Sequence, residues 1–207
     1  MTKRLFVACA ASLLAASAAS ATVTYSFSCI TDTNAVNASS GESQLFVDVD
    51  PVGPGQVKFT FRNTGPIAMS IADVYFDDGT LLGIASITSS AGVDFSQGSS
   101  PPNLPGHNNV TPAFQTTAGF SADSNPPTQH NGVNPGEWLA ITFNLIGGQT
   151  YADAIAALNT NGDHLRIGIH VQGYGNGGSE SFVNNVPTPG ASALLALGVL
   201  AARRRRR

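Results

Sequence analysis

The chain is poor in cysteine throughout and poor in basic residues over its central part, residues 22–184. With only Cys9 and Cys29 in the whole sequence, this central part holds a single thiol and has no framework of intramolecular disulfides. All thirteen acidic residues lie there, against three of the ten basic ones, namely Lys58, Arg62 and Arg166. The resulting net charge, near −10, repels nucleic acid and anionic lipid, so neither is expected as a partner of this region.

Motifs of common catalytic and metal centres are also missing. The chain has no His-x-x-x-His or Cys-x-x-Cys spacing, no Gly-x-Ser-x-Gly elbow, no phosphate-binding loop and no dinucleotide fingerprint. Its four histidines are His107, His130, His164 and His170. The nearest two, His164 and His170, are six residues apart on a predicted strand, about 20 Å at ~3.3 Å per residue, which is too far for one metal. We therefore predict no catalytic residue and no zinc centre from the sequence.

The first 21 residues have the three parts of a secretory signal peptide. Lys3 and Arg4 form a basic start, and Leu5–Ala16 is an apolar stretch. Ala19-Ser20-Ala21 then has the small-x-small form of a cleavage site, with Ala16-Ser17-Ala18 as a nearby alternative. We expect export across the inner membrane and removal of residues 1–21, with Ala19 and Ala21 as the cleavage-site residues.

The last 23 residues, 185–207, form a second distinctive segment. The stiff sequence Val186-Pro187-Thr188-Pro189 precedes a small apolar run at 190–202. As a helix at ~1.5 Å per residue this run is about 20 Å long, short of a hydrocarbon core of roughly 30 Å. Arginine side chains can reach the headgroups and compensate for part of that mismatch, and a clustered positive end favours the cytoplasmic side. Five arginines end the chain: Arg203, Arg204, Arg205, Arg206 and Arg207.

A signal peptide followed by a Val-Pro-x-Pro motif, a short transmembrane helix and an arginine tail resembles the PEP-CTERM sorting signal. The chain departs from that family at Thr188, where the family has glutamate. The resemblance implies that the tail is processed by exosortase near Pro187-Thr188-Pro189. It also implies a membrane-anchored precursor with transient contact to the inner membrane. Export machinery and extracellular polysaccharide would be further partners, and the mature protein would reach the cell envelope or the extracellular matrix. An ordinary C-terminal tail anchor is the alternative.

Between the two segments, residues 22–184 have the pattern of an all-β domain. Short runs with a period of two recur between glycine, proline and asparagine residues. We predict an antiparallel β-sandwich, jelly-roll or immunoglobulin-like, with one short helix at 151–159 that starts with a capping box at Thr150. Asp77-Asp78-Gly79 between two apolar runs predicts a hairpin. The stretch 96–135 has few long apolar runs, so it is either a functional loop or a region of missed strands, with 110–114 and 117–120 as candidate short strands.

Carboxylates are the best candidates for a cation site. Asp73, Asp77 and Asp78 cluster before the predicted turn, and Ca²⁺ prefers such oxygen ligands on loops. Asp-Gly is equally the dipeptide that tight turns require, so a structural role is the alternative. Calcium is the only cofactor that the sequence suggests.

The biochemical task of the central domain is open at this stage. A structural or adhesive matrix protein, without enzymatic activity and able to recognise glycans, is the leading hypothesis. Aromatic residues such as Trp138 can stack on sugars, although its strand pattern with Leu139, Ile141 and Phe143 favours a core position over an exposed one. The alternative is a secreted carbohydrate-active enzyme that uses paired carboxylates.

Overall fold

The computed structural model describes residues 21–77, 81–160 and 164–186. Antiparallel β-structure dominates these ranges, which confirms the predicted all-β class. Ten strands are present there: β1 (Val23–Cys29), β2 (Leu45–Gly53), β3 (Gln56–Asn63), β4 (Ser70–Asp77), β5 (Leu81–Ser89), β6 (Phe95–Gln97), β7 (Ser121–Ser124), β8 (Trp138–Leu145), β9 (Arg166–Gln172) and β10 (Glu180–Asn184).

The helices are few and short. They are α1 (Ala35–Gln44), α2 (Thr128–Asn131) and α3 (Tyr151–Leu158), with one 3₁₀ turn at His107–Asn109. Helix α3 lies where the sequence predicted it, and Thr150 and Asp153 form the expected capping box. Helix α1 was not predicted. Its N-cap is Asn34, and Gly41 allows it to pack closely on Phe182, because a Cβ atom at Gly41 would lie 2.3 Å from that ring.

All ten strands belong to one antiparallel sheet in the order β5-β8-β3-β2-β1-β10-β9-β4-β7-β6. Strand β1 joins its two halves. Val23–Ser26 pair with β2 in the first half, and Phe27–Cys29 pair with β10 in the second. The edge strands β5 and β6 contact each other, so the sheet is nearly closed.

The core lies between the two halves of the sheet. The rings of Phe59 on β3 and Phe143 on β8 meet Phe76 on β4, with centroid distances of 5.0 and 4.6 Å. All three side chains are fully buried. Their edge-to-face arrangement is the preferred geometry of packed aromatic rings, so this contact fixes how the halves face each other.

The predicted hairpin at Asp77-Asp78-Gly79 is wrong. Strand β4 pairs with β9 and β7, whereas β5 pairs with β8, so the two strands lie in opposite halves of the sheet. The reason is the burial of β4 at every position, which suits an interior strand flanked by two neighbours. Residues 78–80 of the connection lie outside the described residues.

The predicted irregular stretch 96–135 contains β7, α2, the 3₁₀ turn and most of β6. Part of it covers the outer face of the sheet, where Leu104 and Phe114 pack with Tyr75 in a second small core. Arg166 holds this cover: it donates to the carbonyls of Pro112 and Ala113 at 2.6 and 2.8 Å. The low content of apolar runs hid these short elements from the sequence pattern.

No helix in the described ranges is both long enough and apolar enough to cross a membrane. The predicted transmembrane helix at 190–202 lies outside these ranges, as does most of the predicted signal peptide.

Candidate functional site

The two predicted address segments are the signal peptide, residues 1–21, and the sorting segment, residues 185–207. Almost all of both segments lies outside the described residues. Ala21 and Val186 are the first and last of them, while Ala19, Pro187, Thr188, Pro189 and the five arginines, Arg203 to Arg207, lie outside. The neighbouring strands β1 and β10 are antiparallel, and Asn185 donates from its backbone N–H to the carbonyl of Ser26 at 2.9 Å. The start of β1 and the end of β10 therefore lie at the same end of the sheet, which we call the terminal end.

The predicted calcium ligands are not brought together by the described part of the chain. Asp77 is paired with the Arg166 guanidinium and also accepts the backbone N–H of Gln115 at 2.9 Å. Asp73 lies four residues earlier on the same face, roughly 13 Å away at ~3.3 Å per residue. Asp78 lies outside the described residues. Within those residues, no three His, Cys, Asp or Glu side chains could together hold a metal ion.

Asp73 instead forms a carboxyl pair with Asp123. The two residues stand opposite each other on β4 and β7, and Asp73 is only 3% exposed while Asp123 is half-buried. Burial, followed by the nearby charge and hydrogen bond of Asp123, raises the pKa of Asp73 to about 8. At neutral pH Asp73 therefore keeps its proton.

His170 flanks Asp73 on its other side, on β9. Its ring Nδ1 lies 3.0 Å from the Ser181 hydroxyl, and burial lowers the pKa of the imidazole. Tyr75, two residues along β4, donates its hydroxyl to the Pro101 carbonyl at 3.2 Å. The Asp73–Asp123 pair, with His170 beside it, can hold and transfer a proton. The sequence suggested paired carboxylates as an alternative but did not identify which two residues form the pair.

A cleft lies at the opposite end of the sheet from the chain ends, and we call it the end cleft. Its volume is about 430 Å³, within the range of roughly 300–1,000 Å³ typical of ligand sites. Three segments form it: the β3–β4 loop, helix α2 with the residues after it, and the turn after β9. The lining residues include Pro66, Ala68, Ser70, Gln129, His130 and Asn134.

Two buried amides hold the β3–β4 wall of the end cleft. Gln44 donates to the Ile67 carbonyl at 2.8 Å, and the Ile67 N–H returns a bond to the Gln44 side chain at 3.2 Å. Asn63 donates to the carbonyls of Met69 and Val133 at 3.0 and 3.3 Å. Asn63 thereby ties the β3–β4 loop to the residues that follow α2, so both walls of the cleft depend on it.

The α2 wall lies close against β4. The backbones of Val133 and Ile71 form a bridge, with N···O distances of 3.2 and 3.0 Å. A Cβ atom at Gly132 would lie 2.2 Å from the Ser70 hydroxyl, so glycine is needed for this approach. Asn134 is held by Glu137, whose Oε2 accepts its backbone N–H at 2.9 Å.

Trp138 is 38% exposed, so the preferred core position was wrong and the exposed alternative is correct. Leu139, Ile141 and Phe143 take the core-facing positions of β8, and Trp138 is out of phase with them. Across the sheet it stands beside Arg62, which stands beside Phe46. These three residues form an outer row on the surface of the first half of the sheet.

Glu180 is fully buried at the start of β10 and organises the loop before α1. Its carboxylate accepts the hydroxyls of Thr31 and Thr33 and the backbone N–H groups of Thr33 and Asn34. Burial would raise the pKa of Glu180, but these hydrogen bonds hold it below its ordinary value. Cys29, beside it, is half-buried, and burial raises the pKa of its thiol, which fits a structural cysteine.

Comparisons of the chain with protein-family models, with curated proteins and with solved structures find no match. The functional reading therefore depends on the residues themselves. The end cleft and the Asp73–Asp123 pair were both missed from sequence, because each joins residues from strands or loops that are distant along the chain.

Proposed function

We propose that this protein is an exported component of the cell surface or extracellular matrix, delivered by residues 1–21 and sorted by residues 185–207. Exosortase would process the tail at Pro187-Thr188-Pro189, after a stage in which the precursor is anchored in the inner membrane. The central domain then acts without catalysis, as a structural or adhesive module that binds extracellular polysaccharide.

One observation carries this proposal: both predicted address segments adjoin the terminal end of the domain. Tyr151 donates its hydroxyl to the carbonyls of Ala21 and Val49 at 2.8 and 2.9 Å, which holds the start of the chain against this end. Asn185 is held there beside β1 by Ser26 and Ser28. A domain attached by this end presents its opposite end, with the end cleft, away from the membrane.

The sheet itself is consistent with a β-sandwich, jelly-roll or immunoglobulin-like, in which β1 passes from one layer to the other. The contact of Phe59 and Phe143 with Phe76 across the core supports this two-layer description. Such domains carry binding sites on the loops at one end, where the end cleft lies.

Replacing the arginine tail tests the sorting step. With serine at positions 203–207 the positive end is lost, and we expect unprocessed precursor or release into the medium. A matched variant with lysine at the same five positions keeps the charge and should keep the membrane orientation. Unchanged surface retention and mature mass in the serine variant would contradict the proposal.

A secreted carbohydrate-active enzyme is the second candidate, favoured by the Asp73–Asp123 pair. Asp73 keeps its proton near pH 7 and so has the protonation state of a general acid, with a second carboxyl group, that of Asp123, beside it. A hydrolase screen with Asp73→Asn and Asp123→Asn tests it. Turnover by the natural chain that both substitutions abolish would place the enzyme first, whereas turnover that survives both would exclude this pair as its site.

A further inference from the structure

Among the residues that the structure describes, none with a charged side chain of Asp, Glu, Lys or Arg lines the end cleft. Its polar groups are the amides of Gln129 and Asn134, the imidazole of His130 and the hydroxyl of Ser70. Amides and hydroxyls both donate and accept hydrogen bonds, and an imidazole adds two ring nitrogens that can form them. The cleft therefore provides mixed hydrogen bonding without a fixed charge.

Ser70 is the most unusual of these residues. It is only 1% exposed, it lines the cleft, and its hydroxyl has no hydrogen-bond partner among the described residues. A buried hydroxyl without a partner is costly, by about 1–3 kcal/mol. The hydroxyl is closed to solvent and lies against Gly132, so Ser70 forms part of the floor of the cleft and is not a contact for the ligand.

The remaining lining is apolar and rigid. Pro66 and Pro135 form parts of two walls, with Ala68 and Met69 beside them. Gly173 lies beside the Gln129 side chain, which is at ordinary van der Waals distance, 3.6 Å, from the position of a Cβ atom there. Apolar walls combined with a few convergent hydrogen-bonding groups suit a ligand that presents both C–H faces and hydroxyl groups.

The charges of the cleft lining and of the whole domain limit which class of ligand the cleft can bind. An anionic ligand would find no cation in this lining and would meet a domain with a net charge near −10. A cationic ligand would find no carboxylate in the lining to pair with it. A neutral ligand with several hydroxyl groups needs neither a cation nor a carboxylate in the lining, and the negative charge of the domain does not repel it.

From these observations we propose that the end cleft binds a neutral sugar unit of a polysaccharide chain, with Gln129 and His130 as its polar contacts. This inference rests on the proposed adhesive function and assigns its binding site. The cleft faces away from the terminal end, so a chain in the matrix can enter it while the domain is still attached to the membrane. Trp138 begins β8 three residues after Pro135, at the same end of the sheet, and is an exposed aromatic residue outside the cleft.

The test uses the full-length chain in a zwitterionic detergent, because sugar-based detergents would compete for the cleft. The probes are neutral gluco-, galacto- and manno-oligosaccharides, an oligosaccharide of uronic acids and a proline-rich peptide, measured by calorimetry. We expect saturable binding of at least one neutral oligosaccharide and none of the acidic one. Preference for the peptide or for the acidic oligosaccharide would overturn the proposal.

Three variants locate the site. The double substitution Gln129→Ala and His130→Ala removes two exposed side chains from the cleft, and Ala68→Trp fills it from an exposed position. Each is expected to weaken binding by about tenfold or more, the equivalent of one or two hydrogen bonds. The control Trp138→Ala alters only the outer row and should change binding by no more than about threefold.

The outcomes separate this inference from the proposed function. If Trp138→Ala abolishes binding while the cleft variants bind normally, the cleft assignment is wrong and the glycan-binding role survives. If the natural chain binds none of the neutral oligosaccharides, both the cleft assignment and the glycan-binding role fail. The sorting step is judged independently by the arginine-tail variants.

Discussion

The side-chain amide of Gln44 donates a 2.8 Å hydrogen bond to Oδ1 of Asn63, and both side chains are buried. Gln44 is the last residue of α1, and Asn63 is the last residue of β3. Through their remaining bonds they hold the backbone of the β3–β4 loop and of Val133. A helix that the sequence did not predict thus supports the cleft at the far end of the sheet.

Asn63→Ala tests this support. It removes three hydrogen bonds and leaves one N–H of the Gln44 amide and the Met69 carbonyl without their Asn63 partner in a buried position, while the Val133 carbonyl keeps the bond from Ile71. We expect the free energy of unfolding to fall by about 3 kcal/mol, because a buried unsatisfied group costs about 1–3 kcal/mol. Urea denaturation measures it. Asn144→Ala is the control, because its bond to Gln56 is exposed, and a loss equal to that of Asn63→Ala would contradict the account.

The Asp73–Asp123 pair predicts a pH dependence of stability. The folded state keeps the Asp73 proton up to a pH of about 8, whereas the unfolded chain releases it near its ordinary pKa of 3.8. The folded state therefore binds more protons between these values, and stability falls as the pH rises from about 4 to about 8.

Asp73→Asn removes this penalty while keeping the shape of the side chain. The variant should be more stable than the natural protein at pH 8, with the difference shrinking towards pH 4. Urea midpoints at pH 4.5, 6 and 8 measure it, with the exposed Asp94→Asn as the control. A variant that is less stable than the natural protein at pH 8 would show that Asp73 is not held protonated.

Glu180 predicts the opposite dependence. Hydrogen bonds hold its pKa in the folded state below the ordinary value of 4.5, so its contribution is present above that pH and is lost as the pH falls through the folded pKa. Glu180→Gln places an N–H group where four donors need an acceptor. We expect a loss of about 2–4 kcal/mol at pH 7 and a smaller one at pH 3.

Thermal unfolding at both pH values checks this prediction. Glu42→Gln is the matched control, because Glu42 is exposed and accepts a single bond, from the backbone N–H of Cys29 at 2.9 Å. Equal destabilisation by the two substitutions, or a loss from Glu180→Gln that does not change with pH, would contradict the role assigned to Glu180.

The parts of the fold with a strong local signal were predictable. Strands β2 and β3 alternate between buried and half-exposed residues, and the capping box at Thr150 marks the start of α3. Helix α1 gave no such signal, because its buried side consists of small and polar residues such as Asn37, Ala38 and Gly41. It is capped locally by Asn34 and packs on Phe182, and only this second contact depends on tertiary structure.

The local sequence pattern could not predict which strands pair when they are distant along the chain. Asp77-Asp78-Gly79 has the composition of a hairpin, yet β4 and β5 belong to opposite halves of the sheet. The same non-local pairing brings Asp123 beside Asp73 and Val133 beside Ile71. The sequence analysis named individual residues of the candidate sites, such as Asp73. It did not predict the contacts between distant segments that bring the residues of each site together.

The most direct test of the central claim is the mass of the natural protein isolated from cell envelopes and culture medium, with both termini sequenced. Removal of two address segments predicts a chain that begins at Thr22 and lacks Arg203 to Arg207. A protein that retains both Met1 and Arg207 in a soluble cytosolic fraction would contradict it.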